Sequence, residues 1–178
     1  RYLMDLKKYI RTVPNFPDDG IMFRDVTTLF NHAGAFEQTI CEFEDLWREE
    51  KVEAIAGIDA RGFIVGGALA FKLRLPFVAL RKKGKLPSET ISEEYDLEYG
   101  KASLEIHTDS IKKGSSVLVV DDLIATGGTA IAGVNLIKAI GGNLVGCGFI
   151  IDLPDLGGTK KLEDLGVKVK SLMTFEGD

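Results

Sequence analysis

Between Val117 and Thr129 the chain reads Val117-Leu118-Val119-Val120-Asp121-Asp122-Leu123-Ile124-Ala125-Thr126-Gly127-Gly128-Thr129. A dense β-branched run ends on two adjacent carboxylates, and a loop of small residues follows. A helical pattern then continues to Ile140 and stops at Gly141-Gly142, where glycine ends a helix by taking the left-handed conformation. A buried strand that runs through a glycine turn into a helix is the repeating unit of a parallel sheet covered by helices. Few folds accommodate such a segment, so the rest of the chain is read around it.

Short apolar runs and helical patterns alternate on both sides of this segment. Residues 2–12 carry Leu3, Leu6 and Ile10 at helical spacing, with Pro14 and Pro17 ending the helix. Residues 15–31 are expected to form an irregular, exposed loop with one extended piece. From Gly34 to about Glu50, the residues Phe36, Ile40, Phe43 and Trp47 mark one helix face. Val52–Ile58 reads as a buried strand, Arg61–Leu73 as a helix and Phe77–Leu80 as a strand. Glu89–His107 is charged and loosely alternating, which predicts a two-stranded excursion with its turn near Gly100. Leu144–Ile151, Gly158–Leu165 and Val167–Leu172 follow as strand, short helix and strand. The expectation is one α/β domain, a mostly parallel twisted sheet with helices on both faces. Ligands of such sheets sit beyond the carboxyl ends of the strands, at the point where strand order reverses. Two loops leave strand ends there, Asp59–Gly62 and Asp121–Thr129.

The second loop has the chemistry of a phosphate cradle. The first N–H groups of a helix have no internal acceptors, they point the same way, and the helix dipole adds positive character. Glycines admit a close backbone approach, and Thr126 and Thr129 add hydroxyl donors. Each charge-assisted hydrogen bond contributes about 1.5–3 kcal/mol, so four or five hold a monophosphate. No lysine follows the glycines, which excludes a Walker A loop, and no GxGxxG is present. Asp121 and Asp122 would be unfavourable beside a phosphate unless they met donors or a cation; ribose hydroxyls or Mg²⁺ would satisfy them. Alternation along a strand sends the two acids to opposite sides, so unequal roles are expected.

Composition removes several other classes. The net charge of −5 argues against a nucleic-acid binder. Against that acidic background stands one basic run, Arg81-Lys82-Lys83-Gly84-Lys85. The two cysteines, Cys41 and Cys147, lie far apart within apolar segments and read as buried thiols of a reducing compartment. With two histidines, His32 and His107, and no CxxC pair, zinc is not expected. No apolar stretch reaches the roughly 18 residues of a membrane span, and the N-terminus shows no signal-peptide pattern. A cytoplasmic protein is expected.

The segment from Val117 to Thr129 resembles the phosphoribosyl-pyrophosphate motif of the type I phosphoribosyltransferases. Four more stretches point to the adenine-using branch of that family: Phe16-Pro17 with Gly20-Ile21-Met22-Phe23-Arg24-Asp25-Val26-Thr27, Ala56-Gly57-Ile58-Asp59-Ala60-Arg61-Gly62-Phe63, Arg81-Lys82-Lys83-Gly84-Lys85-Leu86-Pro87 and Tyr95-Asp96-Leu97-Glu98-Tyr99-Gly100-Lys101. The resemblance spans nearly the whole chain. It implies the type I phosphoribosyltransferase fold: a single domain over 1–178, an N-terminal helix and base-binding hood over 1–33, and a mobile catalytic loop region over 81–107.

It also implies a reaction. Adenine and phosphoribosyl pyrophosphate would give AMP and pyrophosphate with Mg²⁺, in a homodimer with no membrane or nucleic-acid partner. Asp121, Asp122, Ala125, Thr126, Gly127, Gly128 and Thr129 would hold the ribose 5-phosphate. Asp59, Ala60, Arg61, Arg81, Lys82 and Lys85 would meet pyrophosphate, some from the neighbouring subunit, and similar enzymes often hold the Asp59–Gly62 loop in a strained or cis peptide. Met22, Phe23 and Arg24 would form the adenine cleft, Phe23 with its aromatic face and Met22 and Arg24 with nearby backbone groups that read the exocyclic amine. Glu98 would exchange the purine N7 proton, Arg61 would assist catalysis, and Tyr99 would act as a lid that excludes water. The metal would arrive on the substrate, with no protein ligand expected. The residues alone leave open a non-catalytic sugar-phosphate sensor, a phosphoacceptor receiver domain, or an enzyme for hypoxanthine, guanine or xanthine.

Overall fold

A computed structural model describes residues 3–97 and 99–177. The parallel strands are built around β3, whose apolar run is buried on both faces. They are β3 (Ala54–Ile58), β4 (Phe77–Lys82), β7 (Ser116–Ile124), β8 (Asn143–Asp152) and β9 (Val169–Thr174). With the antiparallel hairpin β5 (Thr90–Asp96) and β6 (Lys101–His107) they make a seven-stranded sheet of order β5-β6-β4-β3-β7-β8-β9. The neighbours from β4 to β9 pair parallel, and β6 joins β4 antiparallel through Arg81↔Glu105 and Lys82↔Leu104.

Helices cover both faces. α2 (Ala33–Leu46) and α3 (Arg61–Leu73) lie on one face, with Ile40, Phe43, Val65 and Leu69 packed over Ile55, Leu118 and Val120. On the other face α4 (Gly128–Ala139) and α5 (Gly158–Asp164) bury Leu136, Ile137 and Leu162 against Ala56, Val119 and Phe149. From β3 the chain moves one way to β4, then returns to place β7 on the other side and proceeds outward to β9. The reversal falls between β3 and β7, and their carboxyl ends point into the same crevice. Gly57 makes the close packing there possible. A Cβ on it would stand 2.5 Å from the Gly62 carbonyl oxygen, so α3 starts directly against β3.

The N-terminal segment departs from the expected helix over 2–12. Only Leu6–Tyr9 turns, as a 3-10 helix, and β1 (Arg11–Pro14) then pairs antiparallel with β2 (Met22–Asp25). The ladder hydrogen bonds of this ribbon replace those a helix would have made, and Thr12 and Val13 are β-branched residues suited to it. The 15–31 stretch is also more ordered than expected. Beyond β2 it forms the one-turn α1 (Thr27–Phe30), whose Leu29 is fully buried beside Val26. The Glu89–His107 segment is a hairpin, as its alternation indicated, yet it is docked: Leu104 and Ile106 are fully buried under α4. Cys147 is buried, and burial pushes its thiol up to about 12, whereas Cys41 is half-buried.

Candidate active site

β7 continues as a strand through both carboxylates to Ile124, so Asp121 and Asp122 leave it on opposite sides. Asp122 is buried and takes the Arg61 Nε donor on its Oδ2 at 2.5 Å. Asp121 accepts the N–H of Asp122 at 2.8 Å and stands beside the Gly62 backbone at the start of α3. Burial, reinforced by repulsion from Asp122, pushes the Asp121 carboxyl well above the usual carboxylate range. Burial also disfavours charge on Arg61, but Asp122 first, then Asp121 and Asp25, outweigh it and raise the guanidinium pKa. One guanidinium therefore balances a pair of acids that would otherwise repel each other.

Past Ile124 the chain turns over Ala125, Thr126 and Gly127, where Gly127 has φ +90°, and enters α4 at Gly128. The N–H of Ile131 is the first to bond back, to the Gly127 carbonyl at 2.9 Å. Among the described residues, the N–H groups of Thr126, Gly127, Gly128, Thr129 and Ala130 find no backbone or side-chain acceptor. They border a cleft of about 200 Å³ lined by Arg61 and by every residue from Asp121 to Ala130. Converging unbonded amides at a helix start, with hydroxyls of Thr126 and Thr129 among them, make an anion cradle.

A second cleft of about 320 Å³ opens against the first, and Arg61 lines both. Its walls are Val13, Phe16, Phe23, Asp25, Val26 and Thr27, with Phe16 and Phe23 edge-to-face at 5.2 Å. This cavity has the character of a site for a flat, weakly polar ring. Of the three residues expected here, the Phe23 side chain lines it, and the backbone of Met22 and Arg24 flanks Phe23 on β2. The Arg24 side chain turns the other way, to Thr12 Oγ1 at 2.7 Å and over the Phe175 ring at 4.6 Å, and Met22 shares its side of the ribbon. Strand alternation accounts for this, since neighbours on β2 face opposite sides. Val13 stands opposite Phe23 because β1 pairs with β2, a pairing that a helical reading of 2–12 conceals.

The Asp59–Ala60 peptide is cis, and Asp59 faces the basic run. Its carboxylate lies 3.5 Å from the Arg81 Nε and accepts the Lys82 N–H at 3.5 Å. Arg81 also reaches the Lys85 carbonyl, while Lys82 and Lys85 are exposed; none of these three lines either cleft. Ala60 precedes α3, and Arg61, its first residue, is the member of this group that reaches the cleft. Tyr99 stands exposed near the tip of the β5–β6 hairpin. Glu98 lies outside the described residues. No cluster of three or more His, Cys, Asp or Glu side chains arranged for a metal occurs among the described residues. None of their helices is long and apolar enough to cross a membrane.

A family model described as the phosphoribosyl transferase domain matches residues 31–172. The adenine phosphoribosyltransferase of Dinoroseobacter shibae is 54% identical over 173 residues, covering 97% of each chain. The crystal structure of adenine phosphoribosyltransferase from Thermoanaerobacter pseudethanolicus superposes with a TM-score of 0.92 at 44% identity, over 96% of this chain and 98% of that one. The Trypanosoma brucei enzyme, solved in complex with AMP, pyrophosphate and ribose-5-phosphate, superposes with a TM-score of 0.87 at 30% identity, over 95% of this chain and 77% of that one. With its two loops meeting at the strand-order reversal and a likeness that runs the length of the chain, the protein belongs to the phosphoribosyl transferase family, among its adenine phosphoribosyltransferases.

Proposed function

We propose that this chain transfers the 5-phosphoribosyl group of phosphoribosyl pyrophosphate to adenine, giving AMP and pyrophosphate. The observation that carries the reading is the set of unbonded amides from Thr126 to Ala130, beside an acid pair and next to an aromatic cleft. The names of the relatives and the ligands of the Trypanosoma brucei enzyme support the same substrates and products.

In this reading the 5′-phosphate sits against Ala125–Thr129, and Asp121 and Asp122 face the ribose hydroxyls. Adenine lies in the second cleft, against the face of Phe23. That arrangement sets the anomeric carbon near Arg61, which borders both clefts. The bond from the anomeric carbon to the pyrophosphate oxygen breaks as purine N9 attacks, and the proton at N7 passes to the Glu98 carboxylate. Positive charge grows on the sugar and negative charge on the leaving group. Arg61 stabilises the departing anion together with the amides of Ala60 and Arg61 and the basic run Arg81, Lys82 and Lys85. Catalysis is then mostly positioning and electrostatics. Tyr99 excludes water, whose attack would consume the activated sugar.

A magnesium ion carried in by the substrate fits beside the acid pair, whose negative charge would favour it, while the described residues offer no cluster that would hold the ion without the substrate. Bound there, Mg²⁺ would supply charge neutralisation for the pyrophosphate. We place the enzyme in the cytoplasm and read it as a homodimer. Ile64 and Phe71, exposed apolar residues of α3, are candidates for the contact.

The test is pyrophosphate release with adenine, hypoxanthine, guanine and xanthine in turn, each with phosphoribosyl pyrophosphate and Mg²⁺. Adenine is expected to outrun the others by at least about a hundredfold, as a site built to bond a base's polar groups discriminates. Equal rates would leave the transfer but overturn the base. No release with any purine would overturn the reaction.

A further inference from the structure

The short helix α5 lines neither cleft, yet it stands directly behind the phosphate loop. The Gly158 N–H donates to the Ala125 carbonyl at 2.9 Å, and the Lys161 Nζ donates to the Thr126 carbonyl at 3.2 Å. Its neighbour Lys160 pairs with Asp164 one turn on, whereas Lys161, also exposed, reaches across to the loop backbone. At Gly158 the contact is backbone to backbone. A Cβ on Gly158 would stand 2.5 Å from the Ala125 oxygen and 2.8 Å from the Gly127 nitrogen.

Each of those two carbonyls shares a peptide unit with one of the amides that border the cleft. The Ala125 carbonyl is joined to the Thr126 N–H, and the Thr126 carbonyl to the Gly127 N–H. Across a planar trans peptide, C=O and N–H point in opposite directions. Donors that hold the carbonyls from behind therefore aim the two N–H groups forward, and they polarise the same peptide units so that those groups donate more strongly. Lys161 adds a positive charge on the far side of the loop from the bound anion.

We propose that Lys161 and Gly158 are positioning residues for the sugar's 5′-phosphate: they act through the Thr126 and Ala125 carbonyls, without touching the ligand, to aim and strengthen the Thr126 and Gly127 amides. The inference rests on the assignment of the Ala125–Thr129 loop to that phosphate. It predicts a selective effect, because pyrophosphate meets the other loop, at Asp59–Arg61, which α5 does not support.

Calorimetry with ribose 5-phosphate, AMP and pyrophosphate on the wild type, Lys161→Met and Lys161→Arg tests it, with a thermal melt of each protein. Lys161→Met is expected to weaken ribose 5-phosphate and AMP roughly tenfold, the scale of one charge-assisted bond. Pyrophosphate affinity should change less than about twofold, and Lys161→Arg should restore most of the loss because it keeps the charge and a donor. Gly158→Ala should show the same selectivity together with a lower melting temperature. Wild-type binding with Lys161→Met unchanged, an equal loss for pyrophosphate, or no rescue by arginine would overturn the inference alone. A wild type that binds neither ribose 5-phosphate nor AMP would overturn the assignment of the loop and the inference with it.

Discussion

Asp121 and Asp122 are neighbours in sequence with opposite surroundings, because a strand carries them to opposite sides. Asp122 is paired with Arg61, whereas Asp121 is held above its ordinary pKa by burial and by the charge of Asp122. The sign of the consequence follows from linkage. A carboxyl whose pKa is higher folded than unfolded binds its proton more tightly in the native state. It therefore costs nothing below the unfolded value, near 4, and progressively destabilises the fold as pH rises through the window up to the folded value. Asp121→Asn keeps an oxygen acceptor for the Asp122 N–H and removes that cost. At pH 7 the variant should melt higher, on a scale of about 2–4 °C for each kcal/mol relieved, and the gain should vanish below about pH 4. Its affinity for phosphoribosyl pyrophosphate should fall at the same time, since a neutral amide is a poorer acceptor for ribose hydroxyls and a poorer ligand for a cation. Melting curves at several pH values and calorimetry check both halves. A variant that melts lower at neutral pH would show that the carboxylate is stabilised in place. Burying acids at the site for use in binding would be an ordinary exchange of stability for function.

At the scale of elements, the phosphate loop is a close fit between two glycine turns. Gly127 occupies φ +90°, where side chains are strained, and a Cβ there would stand 2.9 Å from the Gly158 Cα, a backbone atom that cannot swing aside. Gly127→Val should therefore abolish measurable AMP binding and destabilise the fold by at least about 1 kcal/mol, both checked by calorimetry and melting. Retained AMP affinity would place the phosphate elsewhere. Much of this was legible beforehand. The run from Val117, the acids, the small residues and the helix to Ile140 announced the loop, and α3 begins and ends where its apolar spacing put it. Elements whose pairing depends on distant partners were not legible. Residues 2–12 space their apolar groups like a helix, but the chance to pair with Met22–Asp25 wins, and with it comes Val13 as a cleft wall. β7 runs farther than its apolar run because its ladder with β8 continues through Asp121 to Ile124↔Asp152, and carboxylates conceal that continuation. The reach of Lys161 to the phosphate loop left no local signal, since Lys160 and Lys161 differ only in what the fold places beside them.

For the molecule as a whole, what matters is how firmly the Glu89–His107 hairpin is tied to the rest. Its charge and alternation suggested a two-stranded excursion, and the family resemblance implied a mobile region over 81–107. The folded chain divides it instead: Leu104 and Ile106 are fully buried, Ile91 and Tyr95 pack on the same core, and Asn135 of α4 donates to Glu93 at 3.2 Å. Toward the tip the support ends, with Leu97 half-exposed and Tyr99 almost wholly so. Stability is thus graded along a single hairpin, and local opening follows such gradients. Tyr95 connects the two regimes, because its side chain lies 3.7 Å from where a Gly128 Cβ would be, at the start of the phosphate helix. Hydrogen exchange should accordingly report slow amides at Leu104 and Ile106 and fast ones at Tyr99 and Gly100 in the free protein. Ribose 5-phosphate should slow exchange across Gly127–Ala130 directly. Protection at the tip should require a base together with the sugar phosphate, since only a filled pair of clefts gives a closing residue something to cover. AMP with pyrophosphate supplies that combination and should protect Tyr99 and Gly100 beyond ribose 5-phosphate alone. Uniformly fast exchange from residue 89 to 107 would mean that the hairpin is not docked through β6 at all. A tip equally fast with every ligand would remove Tyr99 from the exclusion of water and leave that task to the walls of the clefts themselves.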